Sequence, residues 1–114
     1  MESTKVVQAL ASLAQVTRLE IYRLLVSRGP EGFSAGELVE RLTIPGPTLS
    51  FHLKALANAE LITARKESRF IYYAANFSQM NELVTYLTQN CCSLGAVCDP
   101  VCSPGKYLRP KKSA

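Results

Sequence analysis

Only Thr43-Ile44-Pro45-Gly46 separates two stretches that both read as helix, and so short a break leaves their relative arrangement little freedom. On the upstream side, Ser34-Ala35-Gly36-Glu37 has the spacing of a capping box, a serine followed three residues later by a glutamate that reaches back. It opens a short helix through Leu38, Val39 and Leu42. On the downstream side, Pro47 suits the first position of a new helix, where its missing N–H costs little, and that helix runs to Asn58. Two helices joined by so tight a turn make a helix-turn-helix.

The flanks extend that motif into a larger plan. Val6, Val7, Leu10, Leu13 and Ala14 repeat at helical spacing, predicting a first helix. Thr17-Arg18-Leu19-Glu20 is a second capping-box match, followed by the stripe Leu19, Tyr22, Leu25 and Val26 and a stop at Gly29-Pro30. Leu61 to Ala75 changes character. Ile62, Thr63, Phe70, Ile71, Tyr72 and Tyr73 favour strands, with the polar Lys66-Glu67-Ser68 between them as a hairpin turn. Ser78 is placed to cap a last helix with the stripe Met80, Leu83, Val84 and Leu87. The order helix, helix, helix-turn-helix, hairpin, helix is a winged helix-turn-helix, mainly α with one β-hairpin. At 114 residues there is room for one compact domain. The reading divides the chain into that domain over 1–90 and a cysteine-containing tail over 91–114 in which glycine, proline and basic residues break all periodicity.

Within the second motif helix, Leu49, Leu53 and Leu56 form the apolar stripe. Phe51 lies almost opposite it, and Thr48, His52, Lys54 and Asn58 lie away from its centre. An outward aromatic among polar side chains suits a helix entering a DNA major groove. There Thr48, Ser50 and His52 meet base edges or phosphates, Phe51 meets a thymine methyl, and Lys54 holds phosphate. Arg65, Lys66 and Arg69 surround the hairpin tip, where a basic wing straddles the backbone or enters the minor groove. A net charge of +4 permits this. A packed Phe51, a locally capping His52 and a merely solvated charged turn are the bland alternatives.

No signal peptide or membrane-length apolar run is visible, so the expected location is cytoplasmic, with no membrane partner. No nucleophile–base pair or phosphate-binding glycine loop suggests an enzyme. All four cysteines, Cys91, Cys92, Cys98 and Cys102, fall at one end of the chain. Thiols stay reduced in the cytosol and select soft ions, so a ligand cluster outranks a disulfide framework.

These residues carry a resemblance. Ala9-Leu10-Ala11, Thr17-Arg18-Leu19-Glu20-Ile21, the stretch from Thr48 to Leu56 with its Ser-x-His-Leu-x-x-Leu pattern, and Phe70-Ile71-Tyr72-Tyr73 resemble the ArsR/SmtB family of metal-responsive repressors over about residues 5–90. The resemblance implies a homodimer joined through the first and last helices, bound to double-stranded operator DNA and released by an inducing ion. Two departures stand out: Glu60 and Ser68 occupy places where the family usually, or often, has glycine. The family's Cys-x-Cys site on the helix before the turn is absent, since that region reads Glu37-Leu38-Val39-Glu40-Arg41. Its Asp/His site on the last helix is unsupported, because the only histidine is His52. Adjacent cysteines at the end of the last helix with a third six positions later do match, as Cys91, Cys92 and Cys98, and imply arsenite or antimonite as inducer. Cys102 lies outside that pattern. Three thiolates suit trivalent arsenic, whereas all four would suit a tetrahedral ion, leaving a cadmium-, lead- or zinc-responsive repressor as one alternative and a thiol-redox regulator as another.

Overall fold

The computed structural model describes residues 1–95 and has five helices and three short strands among them. They follow in the order α1 (Ser3–Leu13), α2 (Val16–Arg28), β1 (Phe33–Ser34), α3 (Ala35–Leu42), α4 (Gly46–Asn58), β2 (Ile62–Glu67), β3 (Phe70–Ala75) and α5 (Phe77–Thr88). This is the winged helix-turn-helix expected from the sequence, with one addition. Phe33 and Ser34 pair antiparallel with Tyr73 and Tyr72, so the hairpin is the larger part of a three-stranded sheet ordered β1-β3-β2. Two residues are too few to leave a period-2 pattern in sequence.

Local chemistry explains each boundary. The Ser34 capping box forms as expected: the Ser34 Oγ accepts from the Glu37 amide at 3.2 Å, and a Glu37 carboxylate oxygen accepts from the Ser34 amide at 2.8 Å. The cap of α2 lies two residues earlier than the sequence reading placed it. Gln15 Oε1 accepts from the Arg18 amide at 2.8 Å, and Thr17 is already inside the helix. The last helix is likewise capped by Asn76, not Ser78, because the Asn76 side chain both accepts from the Gln79 amide and donates to the Glu60 carbonyl. Pro47 sits at the second helical residue of α4, after Gly46. The wing turns at Ser68-Arg69, with Lys66 and Glu67 still paired in β2 opposite Ile71 and Phe70.

The core joins all five helices to the sheet base. Ile21, Leu25, Leu38, Leu49, Leu56 and Leu61 are fully buried at its centre. Val6 and Ala9 enter from α1 and Leu83 from α5. On α1 the buried face runs through Val6 and Ala9, while Val7 and Leu10, expected in the same stripe, are exposed. Leu87 on α5 is exposed as well. The Ser3 and Tyr86 hydroxyls, 2.8 Å apart, tie the two terminal helices together. No helix among the described residues is long and apolar enough to cross a membrane.

Candidate nucleic-acid interface and thiol pair

The turn before α4 is made by a non-glycine residue in the left-handed region. Thr43 has φ 54°, and its amide closes α3 on the Val39 carbonyl at 2.8 Å. Ile44 is half-buried behind it, and Pro45 leads into α4. Leu49, Leu53 and Leu56 then face inward. That orientation leaves Thr48, Ser50, Phe51 and Lys54 exposed, with Phe51 at 67%.

His52 does not join that outward face. It is 8% exposed and lies among the buried residues of α4. The physical reason is helical spacing: His52 is three residues after Leu49 and four before Leu56, which puts it on the core side. Its Nδ1 stands 3.4 Å from Arg18 Nη1 on α2, and its ring meets the Phe51 ring edge-on at 5.5 Å between centroids. Burial first, then the Arg18 charge, hold its pKa below the usual histidine value.

The wing is also partitioned. Arg65, expected to meet DNA with its neighbours, bends back across the sheet. Its guanidinium lies 5.2 Å from the centre of the Tyr72 ring and donates to the Glu31 carbonyl at 3.1 Å and to Glu67 at 2.9 Å. It anchors the hairpin to the loop after α2. Arg65 is nonetheless exposed, as are Lys66 and Arg69 near the turn, beside the exposed Phe70 and Ile71. Ser68 turns the wing with φ 59°.

Sequence reasoning gave Arg18 no role of its own, naming it only within the capping-box match and a stretch of family likeness. Its Nε donates to the Ser12 carbonyl at 2.7 Å while its Nη1 faces His52, so one guanidinium spans the end of α1 and the middle of α4. It missed the stacking at Phe33 as well, where the Arg28 and Arg41 guanidiniums lie 4.8 and 4.7 Å from the buried ring. The signal available for both was an arginine at the start or end of a helix beside a residue that must be buried.

Beyond α5 the chain folds into tight turns. The Cys91 amide donates to the Thr88 carbonyl and the Gly95 amide to the Cys92 carbonyl, each at 3.0 Å, and Asn90 and Cys92 have φ 62° and 63°. The two thiol sulfurs are 3.5 Å apart, Cys91 exposed and Cys92 half-buried. In an ideal helix adjacent side chains diverge by about 100°. The helix ends before them, and the sulfurs converge. Cys98 and Cys102 lie outside the described residues, and among those described no cluster of three or more metal-ligating side chains forms.

A family model described as a helix-turn-helix domain matches residues 13–65. The arsenical resistance operon repressor of Staphylococcus aureus is 36% identical, over 66% of this chain and 69% of its own. The transcriptional repressor SdpR of Bacillus subtilis is 30% identical, over 67% of this chain and 81% of its own. Among solved structures, an ArsR-like transcriptional regulator from Rhodococcus sp. RHA1 superposes with a TM-score of 0.70 at 27% identity, covering 80% of this chain and 83% of that one.

Proposed function

This chain belongs to the ArsR family of winged helix-turn-helix transcriptional regulators, and on that premise we propose that it is a homodimeric repressor released from its operator by trivalent arsenic. Family membership makes it a DNA-binding regulator of transcription and not an enzyme. The finer reading adds which residues touch DNA, how the subunits join and what is sensed.

The observation that carries the DNA surface is the exposed strip Thr48, Ser50, Phe51 and Lys54 on α4, flanked by Lys66 and Arg69 on the wing. Thr48 and Ser50 reach base edges, Phe51 supplies an apolar contact, and the three cations hold phosphate. Arg65 and His52, in this reading, support the surface from behind. Dimerisation is supported by the exposed Val7, Leu10 and Leu87 on the two helices that Ser3 and Tyr86 link. A two-fold dimer requires half-sites about one helical turn, ~10 bp, apart.

The inducer reading rests on the converging thiols of Cys91 and Cys92, with Cys98 as third ligand, and on the likeness to arsenical resistance repressors. In this reading residues 1–90 bind DNA and dimerise, and 91–114 bind the inducer. Neutral arsenous acid exchanges its three hydroxyls for three thiolates, each thiol proton leaving as water. Cadmium or zinc binding instead expels protons and strengthens with pH. Because the thiols follow α5, ligand capture biases the helix that faces the partner subunit, and a coupling of about 1–3 kcal/mol suffices for release.

The test is fluorescence anisotropy of a labelled promoter fragment from upstream of this gene. Three phosphate-holding cations per subunit, six per dimer, predict a slope of log affinity against log salt of about −5. Arsenite should release the reduced protein. Cys98→Ser should bind DNA normally and ignore arsenite, while Cys102→Ser should respond like the parent. Arsenite response surviving in Cys98→Ser would overturn the ligand set. Release by cadmium or zinc, abolished by Cys102→Ser, would replace it with four thiolates.

A further inference from the structure

Beside the apolar packing of α2 on α4 there is one polar link between two of the stretches that carry the family likeness: Arg18 Nη1 on α2 stands 3.4 Å from His52 Nδ1 on α4, 34 residues on in sequence. Resting on the reading of α4 as the DNA-reading helix, we propose that Arg18 and His52 are positioning residues for DNA binding, a latch that fixes α4 against the α1–α2 corner.

The chemistry of the contact is directional. A guanidinium has donors only, so His52 must accept through Nδ1 and carry its proton on Nε2. The same guanidinium is fixed at its other edge, where Nε donates to the Ser12 carbonyl at 2.7 Å. Ser12 is the last buried residue of α1, and the Arg18 amide is held by Gln15 at the helix start. Arg18 is therefore tied down from α1 and from its own cap before it reaches α4. A planar fork held at two edges defines a direction as well as a distance. His52 is adjacent to Phe51, whose ring it supports edge-on, and it lies between Ser50 and Lys54. A rotation of α4 about its axis moves all of these together, and the latch resists that rotation.

The latch also crosses between functional halves. Ser12 belongs to α1, one of the two helices proposed to face the partner subunit. Ser12, Arg18 and His52 thus give α1 and α4 a polar connection in addition to their direct packing in the core.

The test separates an acceptor from mere bulk. The amide side chain introduced by His52→Asn keeps an oxygen near the Nδ1 position, whereas His52→Leu keeps apolar volume and removes the acceptor. With promoter anisotropy as readout, His52→Asn should bind within about threefold of the parent, and His52→Leu should lose about tenfold or more with an unchanged salt slope. Equal binding by both variants, or better binding by Leu, overturns the proposal. In case His52→Leu fails to fold, the imidazole nitrogens of the DNA-free parent provide an independent readout, unambiguous because the chain has one histidine. Their ¹⁵N shifts at neutral pH should report a protonated Nε2 and an accepting Nδ1. The opposite tautomer overturns the latch even where DNA binds. A parent protein that binds duplex DNA with no salt dependence defeats the underlying DNA reading instead, and the positioning role with it.

Discussion

Glu60 occupies the left-handed position that ends α4, and glycine there is expected to stabilise the fold. The ending is a Schellman motif: the Glu60 amide donates to the Ala57 carbonyl at 2.9 Å and the Leu61 amide to the Leu56 carbonyl at 3.0 Å. Glu60 has φ 63°, and the flanking Leu56 and Leu61 are both fully buried. A residue with a Cβ costs about 1–2 kcal/mol in that region. Glycine returns about 0.5–1 kcal/mol of this through its freer unfolded chain. Glu60→Gly also removes the Lys5 ion pair, 3.4 Å long with both side chains about half-exposed, a contribution of about 0–1 kcal/mol. The gain over the parent is therefore roughly a few tenths of a kcal/mol. The sharper comparison is with Glu60→Ala, which loses the same ion pair and keeps the Cβ. Glycine should exceed alanine by about 1 kcal/mol, or about 4 °C in Tm for a domain of this size. Urea unfolding read at constant m-value measures the difference. An alanine variant as stable as the glycine variant would refute the assignment of strain to this backbone position.

Three further outcomes follow from the buried polar groups and the sheet. The Tyr22 hydroxyl is buried with no hydrogen-bond partner among the described residues, and burial raises its pKa, so Tyr22→Phe should be neutral or stabilising by up to about 1 kcal/mol; a loss of that size on thermal melting would reveal a partner for the hydroxyl. Gly32→Ala should destabilise by about 2 kcal/mol or more, since Gly32 has φ +75° and a Cβ would stand 2.3 Å from the Tyr73 carbonyl oxygen; a melt within error of the parent would contradict the packing of β1 on β3. His52 has its folded pKa below the unfolded value of 6.5, so the unfolded chain takes up a proton first as pH falls. Its contribution is complete above about pH 6.5 and is lost between there and the lower folded pKa. Urea midpoints across that window should fall more steeply for the parent than for His52→Asn, and parallel profiles would remove His52 as the cause.

Much of the fold is legible in the chain because its signals are local. The Ser34 capping box, the brief break after Leu42 and the strand-forming run through Tyr73 each involve a few neighbouring residues, and each appears where the sequence places it. Errors arise where a cap has competitors. Thr17 and Ser78 are good caps by type, yet Gln15 and Asn76 take the role because each reaches an amide three residues on, and Asn76 also bonds to Glu60 across the fold. The α4 surface is half legible. Phe51, Thr48, Ser50 and Lys54 follow from the wheel, and so does the burial of His52, once it is counted at three and four residues from Leu49 and Leu56. The fate of Arg65 follows only in part: Tyr72 is its cross-strand neighbour in the hairpin, whereas its acceptor at the Glu31 carbonyl lies in a loop that no local pattern links to it.

The left-handed residues connect these observations to the sensing end. Among the described residues, five without a glycine's freedom have positive φ: Thr43, Glu60, Ser68, Asn90 and Cys92. The first three set the helix-turn-helix turn, the end of α4 and the wing tip, and so fix the relative placement of every candidate DNA contact. The last two follow α5 and bring the thiols of Cys91 and Cys92 to 3.5 Å. Asparagine visits this region more readily than cysteine, so the backbone cost falls more on Cys92 than on Asn90. The cost at Cys92, about 1–2 kcal/mol, is of the same order as the coupling of about 1–3 kcal/mol that inducer release requires. On the proposed sensing reading, an ion bound across the two thiols favours the conformation in which they converge, offsets that cost, and so acts on the backbone immediately after α5.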